Sequence, residues 1–445
     1  MITTEEAALR LGVTRRRVQE LVRVGVLPAR KVSGIWLVDE ASVDDRSRSV
    51  SKRGGRPSRG TGRGEMPFAL MNRNHEVASV VYSSVRKEFS HVGAVADVGR
   101  APIGVLSPRG SMALEDLNAW WRGRGIPQAR RGLAKLLSEA GVDLPQELIR
   151  RNLGLSLSDR YWIRPDGSGL AWEDVNFFEN DFEQVSLLTA EYAADCPAPA
   201  RPDNTSDGNL EKIWVCRDGV RFLLKKGARY GQEPYNEVVA TALHRRLLPE
   251  GAYVPYSLEG DGAQAMCCCP NFLTGEEEYV PAHYVARCMP RNSQASEYEH
   301  YLACCDSLGV VGAKQALDRM IVCDDIIANH DRHWRNFGII RNVETLACRP
   351  APLFDSGSSL WCDVETSALA KGEHGFKSSQ FYESPAKQML LVDDLGWFDA
   401  GALDGFVDEA TGILSANDAL SVRIPHLRAA LEWRAERMCG IAAWG

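Results

Sequence analysis

Apolar and polar positions near the N-terminus follow helical spacing twice and strand spacing once. Apolar side chains recur at helical intervals within Glu5–Leu11 and within Arg15–Val24, so each range is predicted to form a helix with one buried face. Thr14 can cap the second helix after a Gly-Val turn. Ala29–Val38 then alternates on either side of a Ser-Gly turn, as two short strands would. The pattern predicts a helix-turn-helix unit followed by a wing.

The second predicted helix and the wing carry side chains that suit DNA. These are Arg15, Arg16, Arg17 and Gln19 on the helix, and Arg30 and Lys31 on the wing. The second helix of such a unit enters the major groove, where these donors contact phosphates and base edges. A solvated basic helix face is the alternative, and DNA contact is the favoured interpretation. The stretch resembles the excisionase and MerR-type winged helix-turn-helix domains in its T-x-E-E-A-A-x-x-L-G-V-T opening, its G-V-L-P-A segment and Trp36.

A basic stretch separates this unit from the rest of the chain. No acidic residue occurs between Asp45 and Glu65, and Arg, Lys, Ser and Gly dominate the interval. Such a composition buries too little apolar surface to fold, which predicts a disordered tether over residues 45–65 that adds salt-dependent affinity for DNA. Gly55-Arg56-Pro57 also matches the core of an AT-hook, although a plain basic linker is the better interpretation.

Beyond the linker the pattern is that of a globular chain with helices and strands. The segments with clear periodicity are two strands, Val77–Tyr82 and Val92–Val95, and three helices, Leu114–Arg122, Arg131–Ala140 and Gly312–Ala328. Strand-like residues on either side of Asp218 and Gly219 predict a tight hairpin. The residues predicted to lie in the C-terminal core are Trp397, Leu403, Leu420, Leu427 and Trp433.

Length and composition narrow the class of protein. The 445 residues suffice for two or three domains, and no apolar run is long enough for a membrane-spanning helix. Met1–Glu6 shows no basic and apolar leader, so we expect a cytoplasmic protein with no membrane partner. The 12 cysteines include no C-x-x-C pair, and buried reduced thiols are a better interpretation than metal ligands. The net charge of −7 argues against a nucleic-acid binder over the whole surface.

One stretch supplies the parts that phosphoryl transfer requires. Asp331 and Asn336 lie in N-H-D-R-H-W-R-N-F-G, and Asp355 follows in L-F-D-S-G. The reaction needs a carboxylate to accept the proton of the attacking hydroxyl, and an Asn and an Asp to hold magnesium. The spacing equals D-x-x-x-x-N of the protein-kinase catalytic loop, with Asp355 at the position of the D-F-G aspartate. Asp and Asn also crowd into ordinary turns, but the flanking apolar helix and strands favour the site.

A lysine-bearing hairpin is a candidate phosphate-binding lobe. A loop of small residues leads to Lys212, and the return strand of the hairpin ends in Lys225 and Lys226. Free backbone N–H groups and lysines suit the phosphates of ATP. Alternation along the strand directs only one of the two adjacent lysines into a cleft, where Glu237 on the following helix could pair with it. Solvated lysines on an exposed hairpin are the alternative.

Together these motifs resemble the HipA-like kinases. The shared patterns are I-I-A-N-x-D-R-H-x-x-N-F-G, F-D-S-G-x-S-L, L-L-K-K-G and Q-E-P-Y-N-E, with N-L-G-L-S-L-S-D-x-Y-W-I and W-E-D-x-N-F-F typical of one branch. The resemblance extends from about Met66 to Val392. It implies a two-lobed protein-kinase-like fold that uses ATP and Mg²⁺ to phosphorylate Ser or Thr of a protein substrate.

The resemblance also implies roles for individual residues. By position, Asp331 is the catalytic base, and Asn336 and Asp355 are the magnesium ligands. The ATP-binding set is Lys225, Glu237 as its ion-pair partner, Lys212 and Gly208. Thr205 is the nearest match to the hydroxyl that these kinases autophosphorylate in the phosphate loop, and Ser206 is adjacent. The loop departs from a glycine-rich pattern and carries Asp207, whose charge would repel phosphate. The strand Ala265–Cys268 is the candidate for the hinge that holds adenine.

The α+β fold class and the motifs together give a domain organisation. The predicted units are a winged helix-turn-helix domain at 1–44, a basic linker at 45–65, an N-terminal subdomain of the kinase region at 66–200, a nucleotide-binding lobe at 201–275 and a helical catalytic lobe at 276–445. The favoured function is a serine/threonine kinase of the HipA-like toxin type fused to a DNA-binding domain, with an antitoxin or a second copy of the chain as candidate partners. Two alternatives stay open. One is a DNA-binding transcriptional regulator that senses nucleotide without catalysis, and the other is a small-molecule or lipid kinase, since D-R-H-x-x-N also resembles phosphoinositide kinases.

Overall fold

The computed structural model of the 445-residue chain describes most of its length. The described residues are 1–11, 15–23, 27–32, 35–44, 64–107, 109–127, 130, 133–193, 198–205, 208, 210–228, 230–372 and 374–444. Residues 45–63 of the predicted linker therefore lie outside the described residues, as does the autophosphorylation candidate Ser206. Within the described part of the chain, no helix combines the length and the apolarity needed to cross a bilayer.

The N-terminal unit packs short helices against a small antiparallel sheet. Its elements are β1 (Ile2–Thr3), α1 (Thr4–Leu11), α2 (Arg15–Arg23), β2 (Ala29–Val32), β3 (Ile35–Val38) and α3 over 40–44. The strands pair in the order β1-β3-β2. Thr3 and Glu6 form a capping box, because the Glu6 N–H donates to Thr3 Oγ1 at 3.2 Å and the Thr3 N–H donates to the Glu6 carboxylate at 2.8 Å. Buried Ala7, Val18 and Leu21 join the two helices, so the predicted helix-turn-helix unit and its wing are confirmed.

A four-stranded antiparallel sheet of order β6-β5-β4-β7 follows the linker. Its elements and the helices beside it are β4 (Glu65–Asn72), β5 (His75–Ser83), β6 (Glu88–Val95), α4 (Leu114–Arg122), α5 (Leu133–Ala140), α6 (Pro145–Arg151), β7 (Tyr161–Pro165), α7 (Trp172–Val175) and α8 (Phe182–Thr189). Asn118 fastens α4 to β6, since its side chain accepts from the Phe89 N–H at 2.8 Å and donates to the Phe89 carbonyl at 2.9 Å. The same helix buries Leu117 and Trp121 against this sheet.

A second four-stranded sheet, of order β10-β11-β9-β8, carries the lysine hairpin. The elements are β8 (Lys212–Arg217), β9 (Val220–Lys226), α9 (Glu233–Leu247), β10 (Ser257–Glu259) and β11 (Met266–Pro270). Asp218 and Gly219 form the predicted hairpin turn, and both have the positive φ that this tight turn requires. The register places Lys212 opposite Lys225, so these two side chains lie on one face of the sheet.

The C-terminal part is mainly helical. Its elements are β12 (Glu277–Pro281), α10 (Ala282–Val285), α11 (Glu297–Ser307), α12 (Ala313–Ile326), β13 (Gly338–Asn342), β14 (Cys348–Pro350), α13 (Thr366–Leu369), α14 (Pro385–Met389), α15 (Phe406–Ser415) and α16 (Ile424–Trp444). The buried face of α12 delivers the chain directly into the predicted catalytic loop. Leu403, Leu420 and Leu427 are buried as predicted, but Trp433 is 52% exposed. That prediction was wrong because α16 turns Trp433 outward, where Arg437 lies 5.5 Å from its ring centroid.

The structure is an α+β fold with a winged helix-turn-helix unit at its N-terminus, as predicted. The lysine-bearing sheet and the helical part meet through a parallel bridge between Tyr253 and Leu353, and they enclose a cavity. The predicted boundaries between the domains stay predictions.

Candidate active site

The largest set of predicted site residues lines one cavity of about 340 Å³. Its apolar lining includes Leu223, Phe272, Leu273 and Phe354. Its polar lining includes Gly208, Lys212, Lys225, Asp331, Asn336 and Asp355. A concave apolar cavity with a few converging polar groups is the usual form of a small-molecule site. The structure therefore brings together residues that lie far apart in the sequence.

Lys225 is the buried cation at the centre of this lining. Its Nζ donates to Glu237 Oε1 at 3.0 Å, to Asp355 Oδ1 at 2.7 Å and to the Tyr256 hydroxyl at 3.2 Å. The Lys225 side chain is 5% exposed. The neighbouring Lys226 points to the other face, is 43% exposed and pairs with Glu211, as the alternation of a strand requires.

Lys225 and Asp355 hold each other in the ionised state. The pKa of Lys225 lies well above its ordinary value, since Asp355 and Glu237 outweigh the opposing effect of burial. The pKa of Asp355 lies below its ordinary value, because Lys225 and Lys212 likewise outweigh burial, which alone would raise it. Burial raises the pKa of Glu237. The result is a fixed Lys225–Asp355 ion pair with Glu237 behind it.

Asp331 and Asn336 lie on the loop that follows α12. The Asp331 N–H donates to Asn329 Oδ1 at 3.1 Å, and Asn336 Nδ2 donates to the Asp331 carbonyl at 2.9 Å. These two bonds close the loop on itself, so the backbone of Asp331 and the side chain of Asn336 are held in place. Burial raises the pKa of Asp331, an effect that His333 opposes and Asp355 reinforces. A raised carboxyl pKa in a cleft is characteristic of a group that exchanges protons.

Arg332 anchors this loop from within the core, the structural role that the resemblance to HipA-like kinases implies for it. It is fully buried, and its Nε and Nη2 donate to the two oxygens of Asp324 at 2.9 and 3.0 Å. The same guanidinium donates to the Asn336 carbonyl at 3.0 Å and to Ser356 Oγ at 2.8 Å, and also to the Phe354 carbonyl. One side chain thus connects α12, the Asp331 loop and the segment that carries Asp355.

Helix α9 holds the segment that carries Asp355 from the opposite side. Asn236 Nδ2 donates to the carbonyls of Gly357 and Ser359, each at 2.8 Å, and the Ser356 N–H donates to Glu237 Oε2 at 2.9 Å. Asp355 itself has a φ of 56°, in the left-handed region that a non-glycine residue seldom adopts. Such a strained residue at a site is held only by its surroundings. The sequence reasoning found Glu237 but missed Asn236.

The loop before β8 lies at the polar end of the cavity. Gly208 has a φ of 100°, and a Cβ added there would lie 2.5 Å from Lys212 Nζ. Arg130 Nε donates to the Gly208 carbonyl at 2.9 Å. Thr205 ends a 3-10 turn, Pro202–Thr205, and its buried hydroxyl donates to the Leu155 carbonyl at 2.8 Å. The predicted autophosphorylation position thus lines the cavity but is not solvent-exposed in this conformation.

The candidate hinge strand does not itself line the cavity, and its role in holding adenine stays a prediction. The predicted strand was Ala265–Cys268, whereas the cavity is lined by 269–273, from the end of β11 onward. The sequence could not distinguish these positions, because Cys267, Cys268 and Cys269 have similar apolar character. Tyr256 was also missed, although its hydroxyl contacts both Lys225 Nζ and the Asp355 N–H.

The predicted DNA-binding residues lie on the N-terminal unit, and those whose side chains are described are exposed. Gln19, Arg30 and Lys31 are exposed. Arg15 is also exposed, and its Nη1 lies 2.8 Å from Glu5 Oε1. Arg16 and Arg17 lie on α2, but their side chains are outside the described part of the structure. Lys31 Nζ lies 5.9 Å from the centroid of the exposed Trp36 ring.

Comparison with known proteins gives likenesses for both parts of the chain. A family model described as a helix-turn-helix domain matches residues 1–46, which confirms the N-terminal prediction. No curated protein matches the chain. The chain is similar to the proinflammatory kinase CtkA of Helicobacter pylori, with a TM-score of 0.41 and 16% identity over 52% of this chain and 94% of that chain. It is also similar to a structure of the toxin–antitoxin system HipA, HipB and operator DNA of Shewanella oneidensis MR-1, with a TM-score of 0.47 and 13% identity over 84% of this chain and 97% of that one.

Proposed function

We propose that this protein is an ATP-dependent serine/threonine protein kinase of the HipA-like type, joined to its own DNA-binding domain. The observation that carries the proposal is the convergence of Asp331, Asn336, Asp355 and the paired Lys225 on one cavity. Phosphoryl transfer depends almost entirely on positioning and electrostatic stabilisation. The side chains of Lys225, Asp355 and Asn336 are held by hydrogen bonds or ion pairs, and the backbone of Asp331 is held by two hydrogen bonds.

Asp331 is the group that takes up the proton of the attacking hydroxyl. Its loop is closed by the Asn336 bond and fixed to the core by Arg332, so the backbone that carries the carboxylate is held at the cavity. The raised pKa of Asp331 makes it a better proton acceptor than an ordinary carboxylate.

The donor set at the cavity suits magnesium and the phosphates of ATP. Asn336 uses its amide N–H for the Asp331 carbonyl, which leaves its side-chain oxygen as the ligand atom, and Asp355 supplies a carboxylate. Mg²⁺ favours such oxygen ligands, with few protein groups and the substrate phosphates completing its coordination. When bound, the metal neutralises phosphate charge. Lys225 and Lys212 would contact the phosphates, while Phe272 and Leu273 would pack against the base.

Self-phosphorylation of the loop before β8 is part of the proposal. The Thr205 hydroxyl donates to a buried carbonyl, that of Leu155, and a phosphate group at that position would place its negative charge against an acceptor oxygen. Phosphorylated Thr205 could not keep this bond, because a phosphate dianion offers acceptors rather than a donor. Modification would therefore expel the loop, and with it Lys212, from the cavity. Ser206 is the second candidate.

The N-terminal unit supports DNA binding as a second part of the proposed function. The match to a helix-turn-helix domain over residues 1–46 favours DNA as a partner through α2 and the wing. A regulator that binds DNA and senses nucleotide without catalysis would need this unit and the cavity, but it would not need Asp331. An antitoxin or a second copy of the chain remains a candidate partner, and the protein substrate is to be identified by phosphotransfer.

The decisive experiment is phosphotransfer from γ-labelled ATP with magnesium by the full chain, comparing wild type with Asp331→Asn and with Lys225→Met. Lys226→Met is the matched control, because it removes the adjacent lysine that lies outside the cavity. We expect label on the protein, located by mass spectrometry at Thr205 or Ser206, from wild type and Lys226→Met only.

The same samples are tested for ATP binding by calorimetry. Asp331→Asn should bind ATP about as well as wild type while losing phosphotransfer by about a hundredfold or more. Undiminished transfer by Asp331→Asn would remove Asp331 from the mechanism. ATP binding with no transfer by wild type to itself or to proteins of a cell extract would favour the regulator.

A further inference from the structure

Outside the cavity, three side chains with metal-binding chemistry meet beside the catalytic loop. They are His330, Cys362 and Asp363, whose nitrogen, sulfur and oxygen ligand atoms all lie within 4.8 Å of one another. His330 Nδ1 lies 3.7 Å from Asp363 Oδ1. The nitrogen and oxygen atoms of imidazole and carboxylate ligands on one tetrahedral zinc ion lie about 3.4 Å apart. Small side-chain rotations would therefore bring all three ligand atoms within bonding distance of a single ion.

The backbone on both sides of this cluster is held by hydrogen bonds. The His330 N–H donates to the Ser358 carbonyl at 3.1 Å, which joins the catalytic loop to the segment after Asp355. Buried Arg423 donates to the Trp361 and Val364 carbonyls, each at 2.8 Å. The residues that flank Cys362 and Asp363 are therefore fixed, and a fixed ligand set loses little conformational entropy when it binds an ion.

We propose that His330, Cys362 and Asp363 form a binding site for one zinc-like transition-metal ion, independent of the proposed kinase activity. Zinc accepts imidazole nitrogen, thiolate sulfur and carboxylate oxygen, whereas magnesium takes oxygen ligands. The site is thus chemically distinct from the Asn336 and Asp355 pair. Zinc binding would form a sulfur–zinc bond and release the Cys362 thiol proton to solvent.

The burial of the three ligands matches an open metal site. Cys362 is 5% exposed, whereas the side chains of His330 and Asp363 are 28% and 61% exposed. An ion can therefore enter from solvent, and water can complete its coordination, as in zinc sites with three protein ligands. A bound ion would restrain the position of the loop that carries Asp331 relative to the segment that carries Asp355.

The test is metal binding by the untagged full chain with excess magnesium present. Zinc is titrated against a chromophoric chelator, and cobalt is used as a spectroscopic probe of a metal–thiolate bond. We expect one equivalent of tightly bound zinc and a cobalt–thiolate charge-transfer band. Loss of an outer-shell partner costs about 10- to 100-fold in metal affinity, so Cys362→Ser and His330→Asn should each cost at least tenfold, and Cys362→Ser should abolish the band.

Two further variants separate ligand loss from misfolding or unspecific binding. Asp363→Asn changes an exposed side chain and should keep the thermal midpoint of the metal-free protein while weakening zinc binding. Cys216→Ser removes an exposed thiol on β8 and should leave both zinc binding and the cobalt band unchanged. The proposal is overturned if wild type binds no zinc, or if Cys362→Ser and Asp363→Asn bind it as tightly as wild type.

Discussion

Lys225 is the single residue whose surroundings constrain the site most. It lies between two carboxylates, Glu237 at 3.0 Å and Asp355 at 2.7 Å, and removing it leaves Glu237 buried without its cation. Breaking a buried ion pair from one side costs about 3–5 kcal/mol, so we expect Lys225→Met to lower the free energy of unfolding by that amount. Lys226→Met should change it by less than about 0.5 kcal/mol, since that lysine is a surface residue. Urea denaturation of both variants measures the difference, and equal losses would contradict it.

The pKa of Asp331 sets the expected acid limit of activity. A base must be ionised, so the rate of phosphotransfer falls as the pH drops through the Asp331 pKa, which burial raises above its ordinary value of about 3.9. His333 opposes this shift of the Asp331 pKa through its electrostatic interaction with the carboxylate. We expect His333→Gln to move the acid limb of the pH–rate profile to higher pH. His75→Gln, on the exposed end of β5, is the control and should leave the profile in place.

At the scale of elements, the conformation of the loop before β8 depends on the positive φ of Gly208. Gly208 and Gly219 both have positive φ, but a Cβ at Gly208 would meet Lys212 Nζ at 2.5 Å and one at Gly219 would meet nothing within 4 Å. Alanine at either position strains the backbone by about 1–3 kcal/mol. Only Gly208→Ala also displaces Lys212, so we expect it to raise the KM for ATP several-fold while Gly219→Ala does not. A similar rise in both variants would show that the effect comes from backbone strain alone.

At the scale of the whole molecule, the predictable features were those encoded over short distances. The catalytic stretch, the hairpin and the N-terminal helices are local patterns, and strand alternation correctly separates the environments of Lys225 and Lys226. Asn236 and Asp324 were missed. Each forms buried hydrogen bonds with the backbone or with a partner side chain, and such residues follow no periodic pattern that would reveal them in the sequence. The exposure of Trp433 depends on the packing of α16, which spacing alone does not determine.

The proposed contact between the wing and DNA is electrostatic, so its strength should depend on salt concentration. The exposed Arg30 and Lys31 would neutralise phosphates of a DNA duplex, and each such contact contributes about 0.9 to the slope of log affinity against log salt. The double variant Arg30→Ala, Lys31→Ala should therefore reduce the magnitude of this slope by about 1.8, as measured by fluorescence anisotropy with duplex DNA of mixed sequence. The control, Arg349→Ala with Lys377→Ala, removes two exposed cations from the helical part and should preserve the slope. Because none of the altered side chains lines the cavity, phosphotransfer in both variants should stay at the wild-type rate. An unchanged slope in the first variant would exclude the wing from the DNA interface.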